Sequence, residues 1–348
     1  MDNKRTKRLS VIIPGYNTPK AWWRRCVKSA LTACGSDDEV ICVDDGSKTP
    51  VADFWQEICD GDGRARLLPL KENVGQATAR NTALDIAQGE FVTFVDSDDE
   101  ILPESYSRCF EVQNEFDSDI TVYGVKVIWT ADRLYKEDSL PTMNLGCLDG
   151  ESLARLVRNC LFDYTCNKVY RRTFLDTNKI RFEATANPGE DTVFNLKCVL
   201  CDATWAVADY LGYVYYRYDG SSLSRYAPNV KLSMTRRSEM WRLCKEKCRG
   251  AREILGDYSE MDDNSVNVAQ WKNLWNRGSP ASVLQRWQYL VAHPSVSRKP
   301  LLFEFIYRAF YSFARRHFYF SWIRKCHIRS MYPHVKVLKK SIIRRILQ

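Results

Sequence analysis

Histidine is almost missing from this chain: all four, His293, His317, His327 and His334, fall in the last fifth of the 348 residues. A histidine-based hydrolytic triad or an HExxH zinc site is therefore excluded from the first 290 residues. Acid–base chemistry there falls to carboxylates, Lys, Tyr or Cys. Long apolar runs are missing too, since no segment reaches the roughly 18 uninterrupted apolar residues of a spanning helix. The opening MDNKRTKRLSVIIPGYN has basic residues, but its apolar run is short and broken by Pro14, so no secretory signal is expected. No internal repeat is found. Cysteine is plentiful at thirteen, yet the CVLC of Cys198 and Cys201 has no second pair or histidine at zinc-like spacing. Reduced, mostly buried thiols in a cytoplasmic protein are expected, as core rather than as metal ligands.

What is present is an ordinary folded composition, with 45% hydrophobic and 27% charged residues. The net charge of +8 is unevenly placed: residues 301–348 hold eleven Lys/Arg and one acid, Glu304, for +10, which leaves −2 for the rest. Strand-like runs at Leu9–Tyr16, EVICVDDGS, RLLPL and EFVTFVD alternate with helical patterns at Pro19–Cys34 and GQATARNTALDIAQ. That order predicts an α/β fold, a Rossmann-like mostly parallel sheet with helices on both faces. Further helices are expected at Gly150–Asn159 and Glu190–Cys201, and a mainly helical, basic and aromatic-rich region from 226 to 348 after a first domain of 1–225. The polar clusters PGYN, DDGS and DSDD all stand at strand ends, where such sheets bind ligands.

The densest cluster is FVTFVDSDDEILPES, with Asp96, Asp98, Asp99 and Glu100 crowded behind a buried strand. Turn and cap roles before a helix near Pro103 account for one or two of these acids. Three aspartates held together raise one another's pKa and cost stability unless a cation offsets them. A calcium loop fits poorly, because the required glycine and distal glutamate are missing. A hard divalent cation, Mg²⁺ or Mn²⁺, fits better, since it takes one or two carboxylates together with substrate phosphates.

Five motifs in order, SVIIPGYN, VDDGS, NVGQATARN, FVDSDD and GED, resemble those of the inverting family 2 glycosyltransferases of GT-A fold, over about Leu9 to Arg225. The resemblance implies transfer of a sugar from a nucleotide donor, most simply a UDP-sugar, to an acceptor hydroxyl in cell-surface polysaccharide or lipid-linked glycan synthesis. By the same resemblance Pro14, Tyr16 and Asn17 line the nucleotide pocket, and Asp44 and Asp45 reach the base and ribose. Asn73, Gly75 and Arg80 follow, with Arg80 either near the diphosphate or buttressing the acidic loop. A helix start and close packing are the alternative for Gly75 and Ala79. Asp96 and Ser97 face the donor, Asp98 with Asp96 holds Mn²⁺ or Mg²⁺, and Asp99 stands behind them. Glu190 and Asp191 match the family's acidic pair, whose aspartate is the base. A helix N-terminus favours acids too, and capping and catalysis can coexist. Lys168 in CNKVYRRTFL is implied to touch donor or acceptor. Ser222, Ser224 and Arg225 in YYRYDGSSLSRY are implied to close over the diphosphate, a tyrosine-rich edge strand being the other reading.

Two other functions stay open from the residues alone: a nucleotidyltransferase, for which IIPGYNTPK is a poor phosphate loop, and a non-catalytic sugar-nucleotide-binding scaffold. Residues 301–348 interleave Trp, Tyr and Phe with Arg and Lys, which suits contact with an anionic membrane surface on the inner face of the plasma membrane. A homo-oligomer contact or a packed helical face is the alternative. No nucleic-acid motif is found, and nucleic acid is not an expected partner.

Overall fold

The structure is a computed structural model, and it describes residues 7–129, 135–159, 161–186, 189–217 and, within a helical stretch, 239–240, 242–244 and 246–248. The chain divides into two units, Met1–Asp263 and Asn264–Gln348, and all described residues belong to the first. Ser222, Ser224, Arg225 and the 301–348 segment lie outside the described residues.

The strands are β1 (Lys7–Gly15), β2 (Glu39–Asp44), β3 (Ala65–Pro69), β4 (Gly89–Phe94), β5 (Glu100–Ile101), β6 (Ile120–Trp129), β7 (Tyr135–Asp138), β8 (Met143–Cys147), β9 (Lys168–Arg171) and β10 (Thr204–Arg217). The α-helices are α1 (Lys20–Ala33), α2 (Trp55–Cys59), α3 (Gln76–Ile86), α4 (Ser105–Phe116), α5 (Gly150–Arg158), α6 (Arg172–Thr177) and α7 (Glu190–Leu200). They follow the expected pattern closely in the first hundred residues.

Within one sheet the order is β3-β2-β1-β4-β9-β6-β10-β5, with β7 on β6 and β8 on β10. The block β3-β2-β1-β4 is parallel, and β6 and β10 run the same way because β9 lies antiparallel to both β4 and β6. The four strands of opposite direction are the short β5, β7, β8 and β9. The expectation of a mostly parallel sheet is met. Successive steps from β1 to β2 to β3 move one way across the sheet and the step from β3 to β4 moves back. Right-handed crossovers then put α1 and α2 on one face and α3 on the other. Parallel strands covered on both faces must be apolar throughout, and β2, EVICVD, is buried at every position.

The reversal creates a switch point between β1 and β4, and it is there that open α/β sheets leave a crevice at their carboxyl ends. Gly15 ends β1 at this point because nothing larger fits: a Cβ there would lie 2.3 Å from the Trp23 ring and 2.8 Å from Ser97 Oγ.

β10 pairs with β6 along most of its length, and its other side takes β8 and then β5 as far as Val214. Past β10, Met240, Cys244 and Cys248 are buried at helical spacing. Cys244 Sγ donates to Leu196 O on α7 at 3.4 Å, and Lys247 pairs with Asp202 at 2.7 Å. This part of the expected C-terminal region therefore packs on the sheet domain. The eleven described cysteines form no disulfide with one another, and nine of them are buried.

Candidate functional site

Three loops meet at the switch point: the β1–α1 turn, the turn after β2, and the acidic turn after β4. Asn17, in a left-handed conformation (φ 51°), joins the first two. Its N–H donates to Ser47 Oγ at 2.9 Å, and its side-chain oxygen accepts from Lys48 N at 2.9 Å. Thr18 and Ser97 join the first to the third by a 2.7 Å hydroxyl contact. Pro14 is buried within β1, whereas Tyr16 is 46% exposed at the rim.

Asp44 and Asp45 are both only 3% exposed. The Asp44 carboxylate accepts from Ser47 N (3.0 Å) and Val51 N (2.8 Å), which shapes its own turn. The Asp45 carboxylate accepts from Val74 N (2.8 Å), Gly75 N (3.0 Å) and Asn73 Nδ2 (3.0 Å). Burial raises the Asp45 pKa against the pull of these hydrogen bonds. Gly46 makes the approach possible, since at φ +69° an added Cβ would stand 2.4 Å from the Glu72 backbone. Asn73 and Gly75 are thus gathered by Asp45, and Gly75 begins α3. The helix-start reading of Gly75 holds. Ala79, in the same helix, is fully buried.

From the first turns of α3 two side chains reach the acidic loop. Gln76 Nε2 donates to Asp96 Oδ1 at 2.7 Å, and Arg80 Nη2 donates to the same oxygen at 2.8 Å. Arg80 is 1% exposed, and its other terminal nitrogen donates to Asp191 Oδ1 at 2.5 Å and lies 3.8 Å from Glu190. Burial works against the Arg80 charge, but Asp191, Asp96 and Glu190 outweigh it and hold its pKa above the usual arginine value. Of the two roles open to Arg80, buttressing is the one the contacts describe. One buried guanidinium ties the DSDD loop to the GED helix, with Asp191 standing 111 residues after Arg80.

The acids of the loop divide by environment. The Asp96 side chain is 28% exposed, and burial lifts its pKa to about 6 against Arg80, with Asp191 and Asp98 adding to the rise. Asp98 is half-buried, and its backbone carbonyl is held by Arg25, which also pairs with Glu100 at 2.9 Å. Asp99 is fully buried, accepting from the Tyr213 hydroxyl at 2.7 Å and from Tyr216 N at 2.8 Å. It ties the loop to β10 and stands behind the others, as expected. Asp191, 25% exposed, and the buried Glu190 open α7. Burial raises the Glu190 pKa, and the neighbouring Asp191 adds to the rise.

Lys168 requires a correction. It is 0% exposed and its ammonium donates to Leu161 O (2.7 Å), Phe162 O (3.1 Å), Tyr164 O and Asn167 Oδ1 (2.8 Å). Enclosed by four acceptors, it holds a loop and does not face a ligand. The residues that sequence reasoning missed are Gln76, Arg25, Thr18 and Tyr213. Gln76 alone carried a signal, being the next residue after Gly75 in a motif already noted.

Among the described residues no group of three His, Cys, Asp or Glu side chains could hold a metal unaided. Asp96 and Asp98 nevertheless offer hard carboxylate oxygens at the crevice, the donor set of a cation that completes its shell with phosphate and water.

The family model of glycosyl transferase family 2 matches residues 10–178. The succinoglycan biosynthesis protein ExoW of Rhizobium meliloti (strain 1021) is 31% identical over 223 residues, which cover 58% of this chain and 68% of that protein. This chain belongs to glycosyl transferase family 2. Another relative, the succinoglycan biosynthesis protein ExoO of the same organism, is 28% identical over 220 residues, 61% of this chain and 62% of that protein. The chain spans between 33% and 62% of the length of three curated relatives it matches. In fold it is similar to the crystal structure of S. aureus TarS 1–349 in complex with UDP-GlcNAc, with a TM-score of 0.53 at 22% identity over 77% of this chain and 80% of that one. Among the described residues no helix is long and apolar enough to cross a membrane.

Proposed function

We propose that this protein transfers a sugar from a UDP-sugar to an acceptor hydroxyl, with inversion at the anomeric carbon, in the building of a cell-surface polysaccharide. The observation that carries the reading is Arg80, which draws the Asp96 loop and Asp191 to one crevice at the sheet's switch point. Scaffolding alone does not call for such a link, since a buried guanidinium shared among three carboxylates is costly to assemble. Two relatives named for succinoglycan biosynthesis support the polysaccharide context, and the UDP-GlcNAc complex of a structural neighbour supports the donor class.

The nucleoside lies against the rim made by Tyr16, Asn17 and the turn of Asp44 to Lys48, with the diphosphate toward Asp96 and Ser97. Asp98 and Asp96 are the residues that would hold Mn²⁺ or Mg²⁺, and such a cation would supply positive charge to offset that of the diphosphate. Asp191 takes the proton of the acceptor hydroxyl as that oxygen bonds to the anomeric carbon and the bond to the diphosphate breaks on the opposite face. Arg80 on Oδ1 fixes the Asp191 side chain for this task.

The test is a nucleotide-sugar panel with Mn²⁺, following release of nucleoside diphosphate by the native protein, Asp98→Ala and Asp191→Asn. Asp98→Ala is expected to weaken metal-dependent donor binding, and Asp191→Asn to keep donor binding and lose transfer. Native-like behaviour of both variants would refute the assignment.

A further inference from the structure

The loop from Leu161 to Asn167, buried except at Asp163 and Tyr164, is held with unusual expense. An ammonium is costly to bury even when its hydrogen bonds are made, yet Lys168 is fully buried and spent on the carbonyls of Leu161, Phe162 and Tyr164. Asn195 of α7, itself fully buried, donates to the carbonyls of Phe162 (2.7 Å) and Tyr164 (3.1 Å). One turn earlier, Thr192 Oγ1 donates to Asp163 Oδ1 at 3.1 Å. The loop is thereby bolted to the first turns of the helix that begins with Asp191.

What it presents is an exposed carboxylate, Asp163, and a half-exposed ring, Tyr164. The Tyr164 ring lies 5.9 Å from that of Tyr215, also half-exposed, at an interplanar angle of 54°. Tyr215 is two residues beyond Tyr213 and shares its face of β10, and the Tyr213 hydroxyl is the group that donates to Asp99 and accepts from Asp96 N. In that last contact the backbone N–H of Asp96 donates and the Tyr213 oxygen accepts at 3.1 Å. The two rings meet, then, between the strand whose Tyr213 holds the acidic loop and the loop bolted to the Asp191 helix. A sugar has one apolar C–H face and a rim of hydroxyls, and aromatic faces bordered by a carboxylate match both.

We propose that Tyr164 and Tyr215 form the shelf on which the acceptor sugar lies, with Asp163 accepting from its ring hydroxyls while another hydroxyl faces Asp191. The inference rests on the transfer reading above. It names the acceptor class as a glycoside with an accessible C–H face. It also gives buried Lys168 a purpose, since a shelf beside a base must not move.

The test uses p-nitrophenyl glycosides of glucose, galactose and N-acetylglucosamine as acceptors, UDP-glucose or UDP-GlcNAc as donor, and the full chain with Mn²⁺. Tyr164→Ala and Tyr215→Ala are expected to raise the glycoside KM about tenfold, with the donor KM shifting by less than about twofold. Tyr164→Phe and Tyr215→Phe keep the ring and are expected to stay near the native glycoside KM. Asp163→Asn, at an exposed position, is expected to raise it about threefold. A native-like glycoside KM in both alanine variants overturns the shelf, as does donor turnover by the native protein that no glycoside stimulates. Absence of any diphosphate release by the native protein, with or without glycoside, instead overturns the transfer reading on which the shelf depends.

Discussion

Asp44 and Asp45 at the end of β2, and Asp96 and Asp98 after β4, stand along the same edge of one sheet and live under different conditions. The first two are almost fully buried, and their oxygens are occupied by the main chain of residues 47, 51, 74 and 75. At the second turn Asp96 shares one oxygen between Gln76 and Arg80 and keeps about a quarter of its side chain exposed, and Asp98 is half-buried. Both pairs look alike in sequence, and what separates them is where their acceptors go. A carboxylate satisfied by backbone N–H groups builds a loop, whereas one held by side chains beside an open face can exchange partners. Asp191 belongs with the second group, because its partner is the same Arg80.

That division predicts which changes stop chemistry and which loosen the frame. The largest effect is expected from Asp191→Asn, whose turnover should fall by about 10²–10⁴-fold, the worth of a positioned general base. Its melting temperature should stay near native, because the amide oxygen can still accept from Arg80. A variant retaining more than a tenth of native turnover, measured by diphosphate release, would move the base elsewhere. Next comes Arg80→Ala, which leaves Asp96, Glu190 and Asp191 without their shared cation and should cost about 3 kcal/mol in urea unfolding. Arg80→Lys should recover part of the stability but little of the turnover, because one point charge cannot span two carboxylates as the planar fork does.

Much of this frame was legible from the residues. The strands up to Phe94 and the helices α1 and α3 were marked by apolar runs and helical spacing, and α7 by the acids of its first turn, Glu190 and Asp191, whereas the short α2 was not expected. β9 was not, because four residues, KVYR, carry no period that distinguishes a strand from a loop. The site itself was half legible. GED and DSDD could be named, but not that Arg80 joins them or that the Tyr213 hydroxyl reaches Asp99, since these contacts span 111 and 114 residues. Lys168 shows the limit most plainly. A lysine in a motif reads as a ligand contact, and only the fold reveals four acceptor oxygens closing around it.

A third change probes the framing pair directly. Asp45→Ala should leave the N–H groups of Val74 and Gly75 without acceptors at a buried site, at a cost of about 2–3 kcal/mol, with turnover of the remaining folded protein at saturating donor held within about threefold. The loss belongs in the unfolding midpoint. Should turnover collapse while stability holds, Asp45 would join the chemical group and the contrast with Asp96 would dissolve.

The smallest expected change in free energy is also the most discriminating. Asp98→Ala removes a half-buried side chain at the crevice, so stability should move by less than about 1 kcal/mol. Donor binding in the presence of Mn²⁺ should nevertheless weaken at least about tenfold, or ~1.4 kcal/mol, and a chelator should weaken the native protein to the level of the variant while leaving the variant unmoved. Titration calorimetry with UDP, with and without metal, separates these terms. Equal weakening of the variant by chelator would place the cation on other residues, and loss of stability without loss of metal dependence would put Asp98 in the company of Asp44 and Asp45, as part of the loop's frame.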